Sequence, residues 1–183
     1  MRVIAGTAKA IRLGRVPAGV RPVSDRAREG LFSSLAPDLP GARVLDLFAG
    51  TGALGIEALS RGADHAVFVE RDPAAVRALR DNLERTRLRE RAEVVAGDAL
   101  GFVAGRQPAK GRFDLVLADP PYDAMAEQVE TVLSGVAAGR LETGGTMALT
   151  RRSGSSTPVI PVHWLVAKRL EYGDTVVLIF REA

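Results

Sequence analysis

Residues 44–55 read VLDLFAGTGALG, a hydrophobic run that passes into a glycine-rich turn and then into residues of helical period. Gly50, Thr51, Gly52, Ala53, Leu54 and Gly55 satisfy the pattern G-x-G-x-x-G. Glycines at these positions permit a tight turn and let a ligand approach the backbone. The pattern therefore predicts a buried strand, a sharp turn and a helix, with a nucleotide-type site at the strand's carboxyl end.

The rest of the chain continues the same rhythm. Residues 43–48, 66–70, 92–96 and 113–118 are apolar on both faces and predict buried parallel strands. Between them, Leu54, Ala58 and Leu59 line one helix, and Val76, Leu79, Leu83 and Leu88 line a second that Pro73 opens. A short helix is expected over 99–104, and residues 125–138 carry Met125, Val129, Val132, Leu133 and Val136 at helical spacing. Strands are expected at 146–150, 163–171 and 175–181, the last two joined as a hairpin across Tyr172, Gly173 and Asp174. Residues 153–158, SGSSTP, read as a mobile polar loop. The fold class is α/β, with a mostly parallel sheet and helices on both faces.

The first part breaks this rhythm and divides the chain into an N-terminal extension, 1–38, and a sheet domain, 39–183. Residues 2–5 and 11–16 suit two short strands, 17–22 a turn, and Ser24 the cap of a helix with Ala27, Leu31 and Leu35 on one face. Residues 1–30 hold seven basic side chains (Arg2, Lys9, Arg12, Arg15, Arg21, Arg26, Arg28) against Asp25 and Glu29, whereas the remainder of this +3 chain is slightly acidic. A basic end on a near-neutral body is the footprint of a phosphate-backbone partner, the alternative being a solvated basic tail. Arg21, Arg26 and Arg28 would flank a helix N-terminus, where backbone N–H groups already favour anions.

At 183 residues, with 46% hydrophobic and 26% charged side chains, the chain is long and apolar enough for one folded domain, and disorder as its dominant state is excluded. It has no Cys and only two His, His65 and His163, so disulfides, thiolate chemistry and a three-His zinc site are ruled out and no metal is expected. No apolar stretch approaches the length of a membrane span or a secretory leader, so a cytoplasmic protein without a membrane partner is expected.

Three carboxylates follow successive strands. Asp46 sits just ahead of the glycine turn, where it would repel a pyrophosphate and attract a cationic amino-acid end, which favours S-adenosylmethionine over NAD. The alternative is a carboxylate satisfied by neighbouring N–H groups. Glu70, 24 residues later, ends the second strand where ribose hydroxyls are bound in such folds, or is an ordinary surface Glu. Asp98 follows the third strand and suits an adenine amino group, or caps the short helix. After the fourth strand comes Asp119-Pro120-Pro121-Tyr122. An exocyclic amine on a base has its lone pair delocalised into the ring, so its attack on a methyl sulfonium needs acceptors that hold the amino hydrogens. Asp119 and the Pro120 carbonyl are such acceptors, the prolines fix their direction, and Tyr122 offers a face for a base turned out of its helix. A rigid turn with Tyr122 in the core is the plainer reading.

Together with the strings RPVSDRARE at 21–29, LDLFAGTGALGIEALSRG at 45–62 and Tyr172-Gly173-Asp174, these motifs make the chain similar to the RsmD family, class I S-adenosylmethionine-dependent methyltransferases that modify guanine N2 in bacterial 16S rRNA. The resemblance implies a Rossmann-like seven-stranded sheet with a reversed last strand, and an N-terminal hairpin that helps hold RNA. It implies cofactor contacts from Asp46, Phe48, Ala49, Gly50, Gly52, Glu70, Arg71, Asp98, Ala99 and Asp119. Catalysis would fall to Asp119, Pro120, Pro121 and Tyr122, and RNA contact to Arg2, Lys9, Arg12, Arg21, Ser24, Arg26 and Arg28, in a monomer acting on 16S rRNA or the small subunit. The family's pattern is departed from at Ala5-Gly6, at Ala10-Ile11, and at Thr150, where an acidic residue is expected. Three rivals remain: an adenine-N6 methyltransferase using the same four residues, an NAD-dependent oxidoreductase on the glycine loop, and a non-catalytic RNA-binding module.

Overall fold

The computed structural model describes residues 1–14, 23–105, 111–121 and 124–182. Seven strands, β1 (Arg43–Leu47), β2 (His65–Glu70), β3 (Ala92–Ala96), β4 (Phe113–Ala118), β5 (Leu141–Arg152), β6 (Trp164–Tyr172) and β7 (Thr175–Glu182), form one sheet in the order β3-β2-β1-β4-β5-β7-β6. The first five pair in parallel, and β7 runs antiparallel to both β5 and β6. Helices α1 (Asp25–Ser34), α2 (Ala53–Ser60), α3 (Pro73–Thr86), α4 (Ala99–Val103) and α5 (Ala126–Gly139) cover it.

Side chains alternate across a strand, and here the alternation sorts two core layers. On β4, Leu115 and Leu117 pack in the layer of α1, α2 and α3, whereas Val116 and Ala118 pack in the layer of α4 and α5. Helix starts follow from capping chemistry. The Ser24 hydroxyl accepts the Ala27 N–H at 3.2 Å to open α1. Asp72 accepts the N–H groups of Ala74 and Ala75 at 2.7 and 2.9 Å ahead of Pro73 to open α3. Among the described residues no helix is long and apolar enough to cross a membrane.

Four expectations are corrected. β3 is the sheet edge, and of its five residues only Ala92 is buried, Val94 and Val95 being partly buried against the two core layers, so it is not a fully buried strand. β5 is longer than 146–150: it begins at Leu141 and passes an irregularity through Gly144 and Gly145, glycines that from sequence read as a loop.

The two N-terminal strands reduce to a single antiparallel bridge between Arg2 and Arg12, residues 15–22 lying outside the described residues. Around that bridge Val3 N–H donates to the Ile11 carbonyl at 3.0 Å and Ala10 N–H to the Val3 carbonyl at 2.9 Å, and the hairpin stays this short because the residues between bond to α2. Ile4 and Ala5 donate their N–H groups to the Glu57 carboxylate at 2.8 and 3.0 Å. Thr7 N–H donates to the Ser60 carbonyl at 2.8 Å, Ala8 N–H to the Ser60 hydroxyl at 2.9 Å, and that hydroxyl to the Ala5 carbonyl at 2.5 Å. Val3, Ala8 and Leu13 then enter the same core layer as α1 and α2.

The fourth correction is Arg28, assigned above to phosphates. Its side chain is fully buried, its Nη2 donates to the Arg2 carbonyl at 2.8 Å and to Asp25 at 2.7 Å, and its Nη1 lies 3.9 Å from the buried Glu57. A guanidinium enclosed in this way neutralises Glu57 and presents nothing to an RNA backbone.

Candidate active site

Parallel strands side by side place their carboxyl ends along one edge, and the site assembles there. Each departing loop is tied to a neighbouring strand end: Ala49 N–H to the Val69 carbonyl at 3.0 Å, Gly97 N–H to the Glu70 carbonyl at 2.9 Å, and Asp119 N–H to the Leu47 carbonyl at 3.3 Å.

In the loop from β1 to α2, Phe48, Gly50 and Gly52 have φ of +58°, +55° and +81°. Left-handed backbone at the non-glycine Phe48 costs roughly 1–3 kcal/mol and persists because the surroundings determine it. A Cβ on Gly52 would lie 2.2 Å from Leu79 Cδ1, whereas one on Gly50 would meet nothing within 4 Å. Gly52 thus seals the loop onto α3 and Gly50 leaves an open side. Gly52→Ala is expected to destabilise the fold by about 2 kcal/mol through left-handed backbone and overpacking, measurable as a lowered midpoint in urea.

Asp46 is 1% exposed. Its Oδ2 accepts the Gly55 N–H at 2.8 Å, while Oδ1 has no partner among the described residues. Burial pushes this carboxyl up to about 8, opposed by the Gly55 N–H and reinforced by the negative charges of Asp119 and Glu70. The plainer sequence reading, a carboxylate satisfied by backbone, thus holds for only one of its oxygens. Glu70 is more than a surface residue. Its Oε2 accepts the Gly50 N–H at 2.7 Å and its Oε1 the N–H groups of Arg71 and Asp72, both at 2.8 Å, so it braces the glycine loop. Asp98 caps α4 through the Gly101 N–H at 2.9 Å and keeps its Oδ1 3.8 Å from Arg71 Nη1.

A cleft of about 190 Å³ runs along this edge. Phe48, Arg71, Asp98, Pro120 and Pro121 line it, together with Leu100, Ala124, Gln128, Val129, Val132 and Leu149. Asp119 stands half-buried at the end of β4, next to buried Pro120 and exposed Pro121. Burial pushes its carboxyl up to about 6, and the Thr150 hydroxyl, which donates to Asp119 Oδ1, pulls the other way. Tyr122 lies outside the described residues.

Asp46, Phe48, Ala49, Gly50, Gly52, Glu70, Arg71, Asp98, Ala99, Asp119, Pro120 and Pro121 thus share one sheet edge. Of the basic set, Arg2, Lys9, Arg12 and Arg26 are exposed, as is the capping Ser24, and Arg21 lies outside the described residues. Two residues in supporting positions are missed by sequence reasoning. Thr150, a departure from the family's pattern, proves to be bonded to Asp119. Asn82, fully buried on α3, donates from Nδ2 to the Thr51 carbonyl in the glycine loop at 2.9 Å and accepts the Gly14 N–H at 2.7 Å.

A family described as Conserved hypothetical protein 95 matches residues 1–181. The chain belongs to this family, the RsmD family. RsmD-family relatives include two proteins named ribosomal RNA small subunit methyltransferase D. The one from Haemophilus influenzae is 39% identical over 73% of this chain and 70% of its own length. The one from Escherichia coli K12 is 34% identical over 90% of this chain and 81% of its own. Among solved structures, yhhF from Escherichia coli superposes with a TM-score of 0.87 at 31% identity, covering 100% of this chain and 97% of that one. A hypothetical protein of Thermus thermophilus does so with a TM-score of 0.83 at 35% identity, covering 98% of each. The Rossmann-like methyltransferase fold is therefore shared over the whole family alignment, N-terminal segment included.

Proposed function

We propose that this protein transfers a methyl group from S-adenosylmethionine to the exocyclic N2 of a guanine in the 16S rRNA of the small ribosomal subunit. The observation that carries the reading is the Asp119-Pro120-Pro121 turn set beside the glycine loop on one strand edge, with Pro120, Pro121 and the loop's Phe48 lining one cleft. The relatives named for small-subunit rRNA methylation support the RNA half of it.

The residues present fit the cofactor. The buried, unpartnered Asp46 Oδ1 suits an ammonium, the open side of Gly50 suits close approach to backbone, and Glu70 and Asp98 at the next two strand ends retain lone pairs for ribose hydroxyls and an adenine amine. S-adenosylmethionine supplies, when bound, an electrophilic methyl carbon. The chain's part is positioning. Thr150 occupies Asp119 Oδ1, so Oδ2 and the Pro120 carbonyl are the acceptors that hold the two amino hydrogens of the base and turn its lone pair outward. Phe48 and Pro121 wall the space in which the base lies. Arg2, Lys9, Arg12 and Arg26 hold phosphates, and 1–38 serves as the RNA-contacting extension of the 39–183 catalytic domain, acting as a monomer in the cytoplasm. Arg26→Ala is expected to weaken RNA binding for every sequence and to shallow the plot of log affinity against log salt by about one unit, read from filter binding across a salt series.

The deciding experiment incubates the purified protein with methyl-labelled S-adenosylmethionine and small subunits from a strain lacking this activity, then identifies the labelled nucleoside by mass spectrometry. N2-methylguanosine is expected. N6-methyladenosine would replace the guanine reading with the adenine one, and an unlabelled subunit would remove the assembled small subunit as the substrate.

A further inference from the structure

Asn82 sits at the only point where one side chain, among the described hydrogen bonds, joins the glycine loop to the N-terminal segment. It lies on the buried face of α3, between Leu79 and Leu83, among the apolar side chains of that layer. A polar group is retained in such a place at a cost unless both of its ends are bonded, and here both are. The amide also fits its two partners uniquely: Gly14 offers an N–H and Thr51 a carbonyl, so the bridge requires one acceptor and one donor on a single fork. Aspartate lacks the donor and leucine lacks both. Thr51 is itself buried and lies between Gly50 and Gly52.

We propose that Asn82 is a positioning residue that holds the cofactor loop and the N-terminal segment in one register, so that ordering either segment favours the other. This rests on the reading above, in which the loop binds the cofactor and the segment contacts RNA. Once the Thr51 carbonyl is fixed, the Gly52 N–H in the same peptide plane is fixed with it. Once the Gly14 amide is fixed, the chain carrying Arg12 leaves α3 in a set direction. No other group in the described residues connects these two segments so directly, and coupling across two hydrogen bonds needs no rearrangement of the fold.

The test uses S-adenosylhomocysteine as the probe, with calorimetry for affinity and amide hydrogen exchange for order. Asn82→Asp keeps the acceptor for Gly14 and loses the donor to Thr51. It should bind the probe about tenfold more weakly, since a buried carbonyl is left unpaired, with faster exchange confined to residues 49–53. Asn82→Leu loses both bonds and should speed exchange at residues 49–53 and 1–14 together. The wild-type protein gives a reading that depends on no variant: adding the probe should slow exchange of the Gly14 amide by about fivefold or more, although Gly14 is not among the residues that line the cleft. A role confined to stability would lower the melting temperature of both variants while leaving probe affinity of the folded protein unchanged, and that result overturns the inference. So does an unaltered Gly14 amide when the loop amides slow. A wild-type protein that does not bind the probe at all overturns the cofactor reading and the inference with it, whereas binding without Asn82 dependence overturns the inference alone.

Discussion

Asp119→Ala is expected to reduce turnover by about a thousandfold while changing cofactor affinity by less than about threefold, because its oxygens act on the amine and not on the donor. The separation of the two effects is the informative part. Asp119 is held by Thr150 on one oxygen, and its charge reaches Asp46 only as a lesser contribution beside burial. Asp119→Asn preserves one carbonyl acceptor but presents N–H groups toward Thr150 or the amine, and it should fall between wild type and alanine. The pH dependence has a definite sign. The acceptor is the ionised carboxylate, and burial has pushed this group up to about 6, so turnover should rise as pH passes upward through 6 and then level off. Single-turnover rates from about pH 5 to 8, with cofactor affinity measured in parallel, would check both statements. Full turnover in the alanine variant would remove Asp119 from the chemistry.

The second large effect concerns Asp46. Asp46→Ala is expected to weaken cofactor binding about a hundredfold, as truncation of one member of a buried ion pair does elsewhere. In the ligand-free protein this carboxyl is pushed up to about 8, so at neutral pH it holds a proton that the unfolded chain has released. Its contribution to stability is therefore fully present below about pH 4, the range of an ordinary carboxyl, and is lost as pH rises through about 8. A bound ammonium reverses the preference by stabilising the ionised form. Cofactor binding should then release close to one proton at about pH 6.5, and affinity should climb as pH rises from about 6 toward 8. Calorimetry in two buffers of different ionisation enthalpy measures the proton count directly. Binding without proton release, or an alanine variant of unchanged affinity, would place the ammonium elsewhere.

The sheet, its strand ends and the acidic residues on them were legible because each rests on a local pattern. Apolar runs announce parallel strands, and the glycines at 50 and 52 announce the left-handed backbone found there. What escaped notice depends on partners distant in sequence. Arg28 looks like a phosphate ligand beside Arg26 until Glu57, buried on α2, is seen to claim it. The N-terminal residues alternate like a hairpin and pair as one about Arg2 and Arg12, but the N–H groups of Ile4, Ala5 and Ala8 meet acceptors more than fifty residues away, which no local pattern reports. Thr150 shows its purpose only when β5 lies beside β4 and its hydroxyl reaches Asp119. Asn82 did leave a trace. The spacing of Ala75, Val76, Leu79 and Leu83 puts position 82 on the buried face, and an amide at a core position is a signal that something polar waits opposite.

The last strand made is an interior strand. β7 lies between β5 and β6 and exchanges hydrogen bonds with both, so β6 has no sheet to join until Thr175–Glu182 arrives. During synthesis the chain therefore carries the open edge of β5 and an unpaired β6 until Thr175–Glu182 has been made. The parallel half of the sheet can therefore form well before its antiparallel half, and the waiting edge of β5 is the part of the growing chain most open to wrong pairing.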